Sequence, residues 1–159
     1  MLKANIIARS LREAATHMGN VRELILTRSE DLMCRNLMCE RVGESCVCRL
    51  SLVLEKMPQL EKLDISYNNL VRLPPKVFDL KSLQELDISG NALTDEVFKN
   101  TMHEQNLLGL SQLQILRMED NCLTAIPTDV TKLEHLKEVF AKGNPLIKTL
   151  DNSNFNIHV

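Results

Sequence analysis

Leu83-Gln-Glu-Leu86-Asp-Ile88-Ser-Gly-Asn91-Ala-Leu93 decides the fold, because the same pattern stands at three other places in the chain. Before it comes Leu60-Glu-Lys-Leu63-Asp-Ile65-Ser-Tyr-Asn68-Asn-Leu70. After it come Leu113-Gln-Ile-Leu116-Arg-Met118-Glu-Asp-Asn121-Cys-Leu123 and a worn copy, Leu136-Lys-Glu-Val139-Phe-Ala141-Lys-Gly-Asn144-Pro-Leu146. The copies start at 60, 83, 113 and 136, giving spacings of 23, 30 and 23 residues. Self-similarity at such a period marks a stacked array in which each unit buries its apolar side against the next. Within each copy two apolar residues sit two apart, as Leu86 and Ile88 do, so on a strand they point the same way, into the core. The repeating Asn falls where the chain turns inward. Its amide both donates and accepts, so a column of them can satisfy the backbone of neighbouring turns.

The phrase LxxLxLxxNxL across residues 60–146 resembles the leucine-rich repeat. Leu73-Pro74-Pro75 and Ile126-Pro127 are similar to the "LP" of its short, intracellular class; the 30-residue interval, with Leu93 to Phe98, looks more like the longer ribonuclease-inhibitor class. The resemblance implies an α/β solenoid of about five repeats, with a parallel sheet on the concave side and helices and turns on the convex side. It also implies that the concave face binds proteins.

Residues 1–159 read as a single domain. Residues 1–29 are expected to form an N-terminal helix and starting repeat, 30–47 a Cys-containing insertion, 48–150 the repeats, and 151–159 a tail. Ile7, Leu11, Ala14, Ala15 and Met18 recur at helical spacing, which predicts an amphipathic helix over Ala4 to Met18, stopped by Gly19-Asn20. Val21 to Ser29 follows as a repeat-like strand with Ser in the Asn position. Leu50 to Met57 predicts a second helix before Leu60. The tail is too short for a capping helix, so either a partner subunit, as in a multi-subunit complex, or further sequence of the same protein is expected to cover that end.

Composition narrows the class. At 159 residues the chain is one domain's worth, and its 44% hydrophobic and 25% charged residues exclude wholesale disorder. Aromatics are 3% with no Trp, so the core must be aliphatic. A net charge of −2 and a pI of 6.1 argue against a nucleic-acid partner. No run of 18 apolar residues predicts a membrane span. With no visible secretory segment and no Asn-x-Ser/Thr acceptor, an intracellular, cytoplasmic location is expected. Lys3, Arg9 and Arg12 on the N-terminal amphipathic segment make a mitochondrial location the alternative.

Cys34, Cys39, Cys46 and Cys48 follow the spacing C-x4-C-x6-C-x-C. Four thiols so close in sequence could close a tetrahedral zinc site, but no CxxC pair is present and the nearest histidine, His17, lies outside the cluster. Two disulfides are another reading. The spacing favours small buried side chains, with no metal and no cofactor. Cys122, beside Asn121, is expected to be structural. Enzymatic chemistry finds little support: His17, His103, His135 and His158 are scattered, and no GxGxxG, P-loop, HExxH or GxSxG occurs. Asp64 and Asp87 should lie side by side on adjacent repeats, as a solvated acidic strip.

The strand phase sends a central column of Ile25, Asp64, Asp87, Arg117 and Phe140 outward on the concave face. Thr27, Ser66, Ser89, Glu119 and Lys142 come next, with Tyr67, Ile115 and Asp120 beside them. Ile25, Asp64, Tyr67, Asp87, Ile115, Arg117, Glu119 and Phe140 are therefore the candidate protein-binding residues, the large side chains among them acting as anchors. The expected function is a non-enzymatic protein–protein interaction scaffold or adaptor, an accessory subunit of a larger assembly, whose partner is another protein. The first alternative is a regulatory subunit docking on an enzyme such as a phosphatase or ubiquitin ligase. An alternative of another class is a zinc-binding or catalytic protein using the Cys34–Cys48 cluster. Ile157-His-Val159 would also suit a PDZ-type groove.

Overall fold

The computed structural model describes residues 5–99, 107–151 and 154–159; Lys3 and His103 lie outside them. Seven short strands form one sheet in chain order: β1 (Ile6–Ala8), β2 (Val21–Ile25), β3 (Lys62–Asp64), β4 (Glu85–Asp87), β5 (Ile115–Arg117), β6 (Glu138–Phe140) and β7 (Asn156–His158). Every neighbouring pair is parallel. This is the solenoid that the repeat implies. Two seven-residue helices, α1 (Leu11–His17) and α2 (Cys48–Leu54), fill the first two crossovers. Among the described residues, the β3–β4 crossover uses a 3-10 turn at Pro75–Asp79, the β4–β5 crossover two, at Asp95–Phe98 and Leu107–Gly109, and the β5–β6 crossover one at Thr128–Lys132. Pro75 opens the first of these and Pro127 directly precedes the last, where a missing N–H costs nothing.

Leu24, Leu63, Leu86, Leu116 and Val139 stand in register across β2 to β6, and all are fully buried. Ile65, Ile88, Met118 and Ala141, two residues on, are buried with them. One continuous apolar cluster from Ala8 to Phe155 results, so no repeat holds its leucines alone.

The asparagine column forms as the pattern predicts. The Asn91 oxygen accepts the N–H groups of Asn68 and Leu70, each at 3.0 Å, while its amide nitrogen donates to Ile65, Ile88 and Ser89 carbonyls. Asn68 and Asn121 make the same kind of bridge one repeat away on either side, and Asn144 makes it two repeats on. The residue before each of these asparagines is left-handed: Tyr67 (φ 57°), Gly90 (64°), Asp120 (51°) and Gly143 (77°). Arg28 (48°), before Ser29, repeats the feature in β2's turn.

Both ends depart from the sequence reading. The helix expected over Ala4 to Met18 is only Leu11–His17, and Ile6–Ala8 is a strand paired with β2. Ala8 takes the leucine position, and Ser10 stands where the second apolar residue would be. Its hydroxyl accepts the Glu13 N–H and starts α1 instead. Arg9 of the presequence-like pattern thus precedes the helix. At the other end, the tail expected to leave the sheet uncovered supplies β7, with Val139 opposite Ile157 and Phe155 buried. The same pairing takes Asn156 to His158 into the sheet, so the Ile157-His-Val159 ending is not a free peptide. The sheet therefore has seven strands where about five repeats are expected.

Candidate functional site

The register places Ile25, Asp64, Asp87, Arg117, Phe140 and His158 in one row across the concave face. The expected central column is thereby assembled, with His158 as an added member. A second row runs Glu23, Lys62, Glu85, Ile115, Glu138, Asn156. Ile115 therefore sits apart from the aromatic end, flanked by two carboxylates. Glu119 and Tyr67 lie at the turns that border the first row.

Charge changes sign along the row. Asp64 and Asp87 hold the acidic part. Arg117 begins the other part, with its guanidinium carbon 4.2 Å above the Phe140 ring, and His158 stacks on Phe140 at 4.3 Å and 7°. Phe140 thus has Arg117 on one side and His158 on the other, and is half-buried. Arg117 also approaches Glu85 at 3.5 Å, and Glu85 reaches Lys62 at 3.3 Å. His158 meets Glu138 at 3.1 Å. These contacts hold the long side chains in place before any partner arrives, which reduces the ordering cost of binding.

The acidic pair is less free than a solvated strip. Asp64 accepts hydrogen bonds from the Ser66 N–H (2.9 Å), the Ser66 hydroxyl (2.6 Å) and the Thr27 hydroxyl (2.8 Å). Asp87 accepts the Ser89 N–H at 3.0 Å. Burial pushes the Asp87 carboxyl above the usual range and the Asp64 charge adds to this, while Ser89 and Arg117 hold it back. Ser66 and Ser89, expected to point outward, are buried in these turns. The carboxylates are thus occupied with backbone and hydroxyl donors on an open face, which gives no enclosed acid–base site.

Tyr67 is 42% exposed, with the Arg28 guanidinium 4.5 Å from its ring centre. Arg28, Ser29, Glu30, Met33, Ser45, Tyr67, Asn68 and Asn69 line a shallow cleft there. That cleft ties the row to the insertion.

The insertion is a hairpin. Met33 and Ser45 form an antiparallel bridge, Cys34 N–H donates to Glu44 C=O, and Gly43 N–H donates back to Cys34 C=O. Gly43 turns the chain at φ 82°. Asp31 anchors its base by accepting the Leu11 N–H at the start of α1, at 2.7 Å. The fold brings Cys34, Cys39, Cys46 and Cys48 together, with all four sulfurs within 4.8 Å of one another. Cys34 and Cys46 are buried, and Cys39 and Cys48 are half-buried. Burial disfavours the Cys46 thiolate, but hydrogen bonds from the Cys48 side chain and backbone outweigh it and hold the thiol at about 7. The same contact with Cys46, with burial, pushes Cys48 up to about 12. The Arg41 N–H favours a Cys39 thiolate, yet contacts with Cys34 and Cys46 raise that thiol. Cys122, expected to be structural, is exposed.

Comparison with known proteins agrees with this architecture. The family model described as Leucine rich repeat matches residues 58–104. Toll-like receptor 6 of Dasypus novemcinctus is 32% identical over 111 residues, covering 69% of this chain and 13% of that protein. The volume-regulated anion channel subunit LRRC8D of Rattus norvegicus is 31% identical over 94 residues, covering 58% of this chain and 10% of that protein. The chain therefore spans a small part of these curated relatives. Among solved structures, internalin C2 of Listeria monocytogenes superposes with a TM-score of 0.61 at 21% identity, over 95% of this chain and 66% of that one. At that identity the likeness speaks for the fold.

Proposed function

Because the chain folds as a leucine-rich repeat solenoid, we propose that it is a non-enzymatic scaffold or adaptor that binds another protein through its concave face. One observation carries this reading: the row Asp64, Asp87, Arg117, Phe140, His158 presents acid, cation and aromatic groups in a fixed order on one rigid sheet. Sites built on strands position side chains better than sites on loops. The partner's surface is basic where it meets Asp64 and Asp87, and carries an acidic or planar group over Arg117. Tyr67, Arg117 and Phe140 supply the main contact energy, in keeping with the side chains that dominate interfaces. The acidic residues set association rate and salt sensitivity more than affinity. We read the setting as intracellular and the chain as an accessory subunit. Docking onto a larger enzyme is the second form of the same reading, and the concave row supports both equally.

Affinity purification with the intact chain identifies the partner, and titration then tests the face. Tyr67→Ala/Arg117→Ala should weaken the complex by about 2 kcal/mol or more, roughly 30-fold. Lys132→Ala, on the 3-10 turn Thr128–Lys132 of the convex side, should leave it unchanged. An unchanged affinity in the double variant, with loss in Lys132→Ala, would put the site on the convex side.

A further inference from the structure

The cysteine cluster has a geometry that the concave-face reading does not use. In a tetrahedral zinc–thiolate centre with bonds of about 2.3 Å, neighbouring sulfurs stand about 3.8 Å apart. Here Cys34–Cys48 and Cys39–Cys46 are each 3.6 Å apart, and Cys39–Cys48 is 3.7 Å. Cys46–Cys48, at 2.7 Å, is markedly closer, the two remaining pairs lie within 4.8 Å, and a central cation would spread the close pair to the edge of a tetrahedron. Each sulfur lies within 4.8 Å of the other three, so no pairing into two disulfides is singled out. A single central ion, by contrast, uses all four sulfurs.

Two further observations point the same way. Arg35, Arg41 and Arg49 each stand one or two residues from a cysteine, three cations against the two carboxylates Glu40 and Glu44 of the same stretch. Arg41 is fixed by its Nε donating to the Ser45 carbonyl at 3.0 Å and by an ion pair with Glu44 at 2.9 Å. Lastly, the hairpin has almost no apolar support. Leu32 and Val47 at its feet join the core, but Leu37 (87% exposed), Met38 (92%), Met33 and Val42 do not. A loop of this length without a core of its own needs a staple, and the cysteines stand where one would act.

We propose that Cys34, Cys39, Cys46 and Cys48 are the four ligands of a closed, structural zinc ion that fastens the 33–45 hairpin to the start of α2. Four protein sulfurs fill the coordination sphere, so no position is open for substrate and the site is not catalytic. Binding is a ligand exchange without electron transfer: each thiol gives its proton to solvent as its sulfur bonds the ion. The ion also shapes the cleft beside Tyr67, since Met33 and Ser45 belong to both hairpin and cleft.

The test is metal analysis of the intact chain purified without chelator, with native mass spectrometry and a thiol count on the same sample. The expected result is about one zinc per chain. Loss of an outer hydrogen bond alone costs about 10–100-fold in metal affinity, so Cys39→Ser and Cys46→Ser should each cost at least about 100-fold. Cys122→Ser should bind as the parent does. Should a ligand variant fail to fold, cobalt substitution of the parent chain decides instead: strong thiolate charge-transfer absorption and tetrahedral visible bands support the site, and a six-coordinate spectrum overturns it. A folded chain with four reduced thiols and far less than one zinc would overturn the proposal. So would a mass showing two internal disulfides, stoichiometric iron in place of zinc, or Cys39→Ser binding as tightly as the parent.

Discussion

The ring of Tyr67 lies across Gly90, and a Cβ on that glycine would overlap Cδ1 and Cε1 of the ring. The two residues hold the same left-handed place in successive turns, at φ 57° and 64°. The arrangement recurs two repeats on, where the Asp120 carboxylate occupies the space above Gly143. A large side chain in one turn thus requires none in the next, and Tyr67 is held at the border of the concave row by that vacancy.

Gly90→Ala should therefore cost about 2–4 kcal/mol, combining left-handed backbone strain of about 1–2 with the clash against the ring. In a Tyr67→Ala background the clash is absent, and the same change should cost about 1–2 kcal/mol. Chemical denaturation of the four proteins in this cycle measures the coupling. Equal costs in both backgrounds would show that the ring does not rest on Gly90.

Asn91 sits mid-stack with its amide committed to five backbone groups. Asn91→Ala strands buried N–H and C=O groups and should cost about 2–4 kcal/mol. Asn144, which is half-buried and bonds Leu123, Met118 and Ala141, can be replaced in part by water. Its alanine variant should cost about 1 kcal/mol. The reverse order in denaturant midpoints would contradict the ladder.

The strand phase makes a sharper demand at two adjacent residues. Leu86 is fully buried, so Leu86→Ala should cost about 2–5 kcal/mol. Asp87→Asn keeps an acceptor for the Ser89 N–H but removes a carboxylate whose folded pKa burial has raised. A raised carboxyl favours folding most when protonated, below its unfolded pKa, and that contribution is lost as pH rises through the folded value. At neutral pH the parent therefore carries a penalty that Asp87→Asn lacks. The variant should be the more stable of the two at pH 7, with its advantage shrinking towards pH 3. A constant difference across that range would show that Asp87 titrates as it does unfolded.

The Asn and Leu columns were legible because four copies repeat them in phase, and the strand period then assigns each outward residue. Ile25, Asp64, Asp87, Arg117 and Phe140 follow from that arithmetic alone. The end strands were hidden for a physical reason: Ala8 and Ser10 replace the paired leucines of β1, and Ile157 and Val159 stand in their place in β7. The alternation Phe155, Ile157, Val159 is the signal that could have found β7, and with it His158. Convergence of the four cysteines could not be read from C-x4-C-x6-C-x-C. It depends on the hairpin closing at Gly43 and on the Cys46–Cys48 segment running into α2, and both are tertiary facts.

Arg117 lies between Glu85 and the Phe140 ring, so its planar group is oriented before binding. Arg117→Lys keeps the charge and loses the fork and the stacking. It should weaken the partner complex by about 1 kcal/mol or more without a comparable loss of fold stability. Calorimetric titration beside thermal unfolding separates the two effects. A loss in stability equal to the loss in binding would make Arg117 a structural residue only.

The central claim is that a partner protein lies on the concave row, and site-specific photo-crosslinking tests it most directly. A crosslinking residue in place of Asp87 reports from the middle of that row, and one in place of Lys132 reports from the convex turn. The account predicts that position 87 captures the co-purifying partner and position 132 does not. Capture from position 132 with none from position 87 would contradict it.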